Sequence, residues 1–158
     1  MYAVTSVPDS PLTSCAAPYL LASSVSKSGG EPYLGDTAKK DWHVDVMMLA
    51  QVGLPYSAPD KFPDLVFWLE DREWLVLVEA VTSHGPVSPK RRAELEDLLK
   101  DSPHHRVYVT AFASRKDFKQ HMDEIAWETE VWVAEVPDHM IHYNGPKFLA
   151  PFPDEERP

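Results

Sequence analysis

Phe62-Pro63-Asp64-Leu65-Val66-Phe67-Trp68-Leu69-Glu70-Asp71-Arg72-Glu73-Trp74-Leu75-Val76-Leu77-Val78-Glu79-Ala80-Val81 decides the fold. Residues 65–69 and 74–81 are short apolar runs, rich in β-branched and aromatic side chains, with a polar break between them. They read as two strands of an antiparallel ribbon. A two-residue turn at Asp71-Arg72 sets Val66 opposite Leu77, Trp68 opposite Leu75 and Asp64 opposite Glu79. A four-residue turn from Glu70 to Glu73 gives the same register. Directly opposed side chains in such a pair have Cβ atoms roughly 4.5–5.5 Å apart. Two carboxylates there repel by about 3 kcal/mol at an effective dielectric of about 20. Apolar neighbours add a desolvation cost. A hard divalent cation relieves both and takes one or two carboxylates while keeping waters. The plainer alternative is a pair of solubilising strand-end residues. Pro-Asp recurs at Asp9, Asp60, Asp138 and Asp154, so the dipeptide alone carries little information. Only Asp64 opens an apolar hairpin with a carboxylate returning opposite it.

Outward from this ribbon the pattern is α/β. Tyr33-Leu34-Gly35 reads as a short strand. Asp36 or Thr37 caps a helix to about Val52, with Trp42, Val46, Leu49 and Ala50 as its apolar stripe and Gly53 then Pro55 as its stop. Ser88 with Pro89 is an N-cap followed by proline at the first helical position. That helix runs to about Lys100 with Leu95, Leu98 and Leu99 inward. Residues 106–111 form a strand. Ser114 and Asp117 resemble a capping box before a helix carrying Phe118, Met122, Ile125 and Ala126 on one face. Residues 130–136 are the last strand. The order α-β-β-α-β-α-β predicts a mixed central sheet flanked by helices. Residues 1–30, rich in Ser, Ala, Pro and Gly, read as a disordered leader, 31–152 as one domain and 153–158 as a tail.

The chain has 158 residues, which allows one domain with a real core. No apolar run is long enough to span a membrane. Leu12-Thr13-Ser14-Cys15 superficially resembles a lipoprotein cleavage box. The residues before it lack a basic group and an apolar stretch, so the reading fails. Cys15 is the single cysteine, which excludes an internal disulfide and fits a reducing cytoplasm. Net charge is −10, which opposes binding to polyanions. The charge is uneven, however. Residues 82–119 hold eight Lys or Arg against five Asp or Glu, together with His84, His104 and His105. A basic face on an otherwise acidic chain is compatible with a polyanionic partner.

The sequence resembles the catalytic region of the BsuBI/PstI family of type II restriction endonucleases over about 33–152. The resembling stretches are Tyr33-Leu34-Gly35-Asp36-Thr37-Ala38-Lys39-Lys40, Phe62-Pro63-Asp64-Leu65-Val66 and Glu79-Ala80-Val81-Thr82-Ser83-His84-Gly85-Pro86-Val87-Ser88-Pro89-Lys90-Arg91-Arg92. Val109-Thr110-Ala111-Phe112, Ile125-Ala126-Trp127-Glu128-Thr129-Glu130-Val131-Trp132 and Pro137-Asp138-His139-Met140-Ile141-His142-Tyr143-Asn144-Gly145 continue it. The resemblance implies a PD-(D/E)XK nuclease core. It further implies Mg²⁺-dependent cleavage of double-stranded DNA at a short palindrome, a homodimer matching that palindrome, and a cognate DNA methyltransferase. On that pattern Asp64 and Glu79 are the metal ligands.

Two departures stand out. The general pattern places lysine two residues after the second acid, where this sequence has Val81. Lys90, in the first turn of the following helix, is the preferred substitute, to orient the attacking water or neutralise the phosphate. The alternative is a phosphate contact shared by Lys90, Arg91 and Arg92 at a helix N-terminus. Lys39 and Lys40 are weaker candidates. Family members are also longer, with a helical region where this sequence has its leader. A truncated, inactive remnant that keeps the fold and DNA or subunit contacts is therefore the competing reading.

Thr82, Ser83 and His84 follow the Glu79 strand directly and are candidate DNA contacts; the plainer reading is a turn shaped by Gly85-Pro86. His139 and His142 read as loop histidines, not zinc ligands. Asp117-Phe118-Lys119 lies in a helix and reads as a solvated face. Trp42, Trp68, Trp74, Trp127 and Trp132 read mainly as core.

Overall fold

The structure is a computed structural model that describes residues 2–5, 46–54, 61–82 and 85–145. Its strands are β1 (Tyr2–Thr5), β2 (Leu65–Leu69), β3 (Trp74–Ala80), β4 (His105–Phe112), β5 (Glu130–Val133) and β6 (Met140–His142). Its helices are α1 (Val46–Gln51), α2 (Pro89–Leu98) and α3 (Arg115–His121). The strands form one six-stranded sheet in sequential order. The β1–β2, β2–β3 and β5–β6 pairs are antiparallel, whereas β3–β4 and β4–β5 are parallel. Parallel neighbours require a crossover, and α2 and α3 supply the two needed here.

The central strands are apolar on both faces, as a covered parallel sheet demands. On one face Val66, Leu75, Leu77 and Tyr108 pack with Leu49 of α1 and Leu95 and Leu99 around the end of α2. On the other, Leu65, Phe67, Val76, Val78, Val109, Ala111 and Trp132 form a second cluster. Burying each such aliphatic side chain contributes roughly 1.5–3 kcal/mol.

The expected ribbon forms in the expected register, with Val66 opposite Leu77 and Trp68 opposite Leu75. Its turn is the four-residue version. Glu70–Arg72 make one 3₁₀ turn, and Glu73 adopts a left-handed conformation at φ 54° while its N–H bonds the Glu70 carbonyl. Ser88 caps α2 by accepting the Arg91 N–H at 3.2 Å, with Pro89 next in the chain. Gly53 ends α1 at φ +74°: its N–H bonds the Ala50 carbonyl, and the Leu54 N–H bonds that of Leu49. This is the Schellman pattern, and glycine tolerates the positive φ it needs.

Several expectations are corrected. Tyr2–Thr5, inside the stretch read as a disordered leader, form an edge strand on β2. The rest of that leader, Tyr33-Leu34-Gly35, Trp42 and the 153–158 tail lie outside the described residues. Ala50, assigned to the apolar stripe of α1, is exposed. Helix α3 stops at His121, and Met122 is exposed instead of inward. Ile125 and Ala126 are buried, but in the connection that follows. There the Ala126 N–H bonds the Val87 carbonyl, and Thr129 Oγ1 donates to the Ala126 carbonyl at 2.6 Å. Anchoring to the loop before α2 thus overrides helix continuation. Strand β5 ends at Val133, and β6 was not expected. Trp132 is core and Trp68 partly buried, but Trp74 and Trp127 are exposed. Among the described residues no helix is long and apolar enough to cross a membrane.

Candidate active site

Asp64 immediately precedes β2. The last ladder pair is Leu65 with Val78, so the register carries Asp64 to Glu79. Beyond that pair the Ala80 N–H has passed the end of the β2 backbone ladder. Asp64 Oδ2 accepts it at 2.8 Å. Glu79 lies on the Leu75–Leu77 face of β3, beneath α2, and is only 6% exposed. Its parallel partner on β4 is Thr110, also buried, whose Oγ1 accepts the Val87 N–H at 3.1 Å. That bond fastens the loop leaving β3 above the Glu79 carboxylate.

Arg91 is the principal partner of Glu79. Its Nη2 and Nε donate to Glu79 Oε1 at 2.7 and 3.0 Å. Nη2 also reaches the carbonyls of Lys61 and Phe62, at 3.1 and 3.2 Å. Even so, the Glu79 carboxyl is pushed up to about 7. Burial is the largest cause. Arg91 opposes it by charge and hydrogen bonding, while the charges of Asp64 and Glu94 add to it. One guanidinium therefore does not satisfy this carboxylate, and the pocket retains a demand for positive charge.

The donor set fits a hard divalent cation. The register sets Asp64 opposite Glu79, burial raises the Glu79 carboxyl despite Arg91, and both Arg91 bonds land on Oε1, leaving Oε2 outside that pair. Mg²⁺ needs no more protein ligands than this and completes its shell with water. Among the described residues no group of three His, Cys, Asp or Glu forms a denser cage.

The other sequence-nominated residues separate. Lys90, on the first turn of α2, has a side chain 90% exposed and 3.8 Å from Glu94. It does not reach Glu79; Arg91 does. Helical spacing explains the difference. Arg91 lies one turn before the fully buried Leu95, whereas Lys90 lies one turn before the exposed Glu94. That spacing is readable in the sequence and is the signal that could have singled out Arg91 over the preferred Lys90. Arg92 donates to the Trp127 carbonyl at 2.8 Å, pairs with Glu128 at 3.0 Å, and lies over the Tyr108 ring. Thr82 is exposed just past β3, while Ser83 and His84 lie outside the described residues. The first turn of α2 contains no acidic residue and three basic ones. Cations there oppose the helix dipole, costing roughly 0.3–1 kcal/mol each. Nearby anions offset this, and Glu79 is one of them.

Val81, just past the end of β3, occupies the sequence position of the motif lysine. It packs against the cluster of Phe112, Ile125, Val131 and Val133, and its N–H bonds the Ala111 carbonyl. His139 and His142 do not converge. His139 lines an apolar cavity of about 400 Å³ with Phe118, Val133 and Val136, whereas His142 bonds Glu130. Sequence reasoning missed the exposure of Trp127, which is 70% accessible and sits 5.9 Å from the Tyr143 ring.

Comparisons with known proteins converge on one family. A family model described as the BsuBI/PstI restriction endonuclease domain matches residues 22–146. The type II restriction enzyme BsuBI of Bacillus subtilis is 46% identical over 120 residues, covering 76% of this chain and 38% of that protein. The type II restriction enzyme AplI of Arthrospira platensis is 39% identical over 96 residues, covering 57% of this chain and 30% of that protein. The solved structure of SdaI restriction endonuclease superposes with a TM-score of 0.63 at 40% identity, over 79% of this chain and 39% of that one. The chain thus spans less than two fifths of the length of each relative, and its α/β fold is that of a restriction endonuclease core. On its sequence and its fold, the chain belongs to the BsuBI/PstI restriction endonuclease domain family.

Proposed function

We propose that the chain is the catalytic domain of a type II restriction endonuclease that hydrolyses phosphodiester bonds of double-stranded DNA at a short palindrome. The observation that supports this reading is the register that sets Asp64 opposite Glu79 at the open end of the β2–β3 ribbon, beside a helix whose first turn carries Lys90, Arg91 and Arg92. Asp64 and Glu79 would hold a divalent cation, Mg²⁺ in the cell. Such an ion supplies positive charge for the phosphate and acidifies a water molecule. In the hydrolysis, the water oxygen bonds phosphorus and one P–O ester bond breaks. The leaving oxygen takes up a proton, and the proton lost by water passes to solvent.

The chain's own residues bind and orient. Lys90, its side chain in solvent, would meet a phosphate oxygen, and Thr82, Ser83 and His84, next in sequence after the Glu79 strand, would contact the same DNA. A two-fold dimer lets each subunit serve one strand of a palindrome. A DNA methyltransferase of the same specificity would protect the host's own sites in the cytoplasm.

Incubating the purified chain with plasmid and Mg²⁺ tests the reading. Discrete fragments are expected, and Asp64→Ala or Glu79→Ala should leave the plasmid intact. Undiminished cutting by either variant refutes the metal assignment. A smear would indicate a sequence-independent nuclease. A second reading, a non-catalytic member that keeps DNA or subunit contacts, is favoured by the apolar setting of Val81 and the net charge of −10. Intact plasmid with retained DNA binding would support it over the first.

A further inference from the structure

We propose that Arg91 is the positioning cation of this centre, supplied from α2 because Val81, just past the end of β3, packs against an apolar cluster. The inference rests on reading Asp64 and Glu79 as the catalytic pair. Val81 packs with Phe112, Ile125, Val131 and Val133. Val81 is partly buried there, and a lysine in its place would bring an ammonium against apolar side chains or give up that packing, both at a cost. The charge must therefore enter from another element.

Arg91 enters with geometry a lysine cannot copy. Its guanidinium grips Glu79 Oε1 through two nitrogens and simultaneously holds the carbonyls of Lys61 and Phe62. Those carbonyls belong to the segment that delivers Asp64. One planar fork thus ties the approach to the first acid to the side chain of the second, across the two strands of the ribbon. The backbone of Arg91 is fixed as well, because its N–H donates to Ser88 Oγ at the helix cap. Arg91 is only 20% exposed, which limits its freedom to swing away, whereas Lys90 is nearly fully solvated. A pre-organised fork loses little rotamer entropy per hydrogen bond, which suits a residue that sets geometry. Arg91 acts through Asp64 and Glu79: it fixes their separation and the direction in which Glu79 Oε2 faces.

The test uses the full chain as the parent and its R91M, R91K and K119M variants, with R91Q replacing R91M should the latter not fold. Amide hydrogen exchange at Ala80, whose N–H is held by Asp64, reports positioning without metal or DNA. Single-turnover plasmid cleavage at saturating DNA and Mg²⁺ reports chemistry. R91M should speed Ala80 exchange about tenfold, as local opening becomes easier. It should slow cleavage about a hundredfold, the scale of losing one preorganised donor. R91K should recover about tenfold of that cleavage, because it restores charge at Glu79 but not the fork. K119M, on the exposed face of α3, should change neither readout. Unaltered Ala80 exchange in R91M overturns the positioning role regardless of cleavage. Faster exchange with undiminished cleavage overturns its link to catalysis, and so does an equal loss produced by K119M. If the parent itself leaves DNA intact, the nuclease reading fails while the exchange comparison still decides for or against Arg91.

Discussion

Asp64 closes the β2–β3 ribbon with its side chain: Oδ2 accepts the Ala80 amide proton at 2.8 Å, where a backbone carbonyl would otherwise be needed. The same carboxylate is thus a structural cap and a proposed metal ligand, and the two roles can be separated by substitution. Asp64→Asn keeps an acceptor oxygen of similar reach but loses the charge. It should remain within about 1 kcal/mol of the parent in urea denaturation, the net worth of one such bond, while plasmid cleavage is abolished. Asp64→Ala should lose cleavage equally and also about 1–3 kcal/mol of stability, because the Ala80 N–H is left without its partner. Matching stability losses in both variants would contradict the cap role.

Glu79 makes the fold pH-dependent in a direction opposite to an ordinary paired carboxylate. Its folded-state value, about 7, lies above the ordinary glutamate value of 4.5. Between these values the folded chain holds a proton that the unfolded chain has released. The stabilisation is therefore complete below about 4.5 and is lost as pH rises through about 7. The difference amounts to about 3 kcal/mol in the metal-free protein. Urea midpoints measured between pH 4.5 and 8 should fall for the parent and flatten for Glu79→Gln. Divalent cation affinity should rise with pH, by up to about tenfold per unit below 7, since binding displaces that proton. Isothermal titration at several pH values checks this.

Gly53 is required on two independent grounds. Its φ of +74° disfavours any side chain, and a Cβ there would lie 2.9 Å from Ser102 Cα, which is backbone and cannot rotate away. Gly53→Ala should cost about 3 kcal/mol, combining left-handed strain with overpacking. Equilibrium denaturation measures the loss. Cleavage at low temperature should survive, because the proposed site is built on β2, β3 and α2.

The two tryptophans near β5 should behave oppositely. Trp132 is 1% exposed and donates its indole N–H to the Pro137 carbonyl at 3.0 Å. Trp132→Ala should cost about 3–5 kcal/mol. Trp127 is 70% exposed, so Trp127→Ala should alter stability by less than about 0.5 kcal/mol. Thermal denaturation of both variants decides the point.

What was legible in the sequence was whatever local chemistry or period-two pattern determines. The ribbon register survived uncertainty in its turn, because a two-residue and a four-residue loop place Asp64 opposite Glu79 alike. The Ser88-Pro89 start of α2 and the Gly53 stop of α1 follow from side-chain capping and from φ alone. Pairings between distant segments were not legible. Strands β1 and β6 are short edges whose existence depends on β2 and β5 being present to receive them. The early end of α3 reflects the bond from Ala126 to Val87, which no window of the sequence contains. Arg91 was nominated only as a DNA contact, although its spacing from Leu95 marked it as inward-facing. Its union with Glu79 exists only because the crossover lays α2 over the end of β3.

The most direct measurement is anomalous diffraction from crystals of the chain soaked in Mn²⁺. One peak within coordination distance of both Asp64 and Glu79 is predicted, and it should vanish in Glu79→Ala. Manganese bound elsewhere, or held equally well after both acids are replaced, would contradict the shared cation on which the proposed chemistry depends.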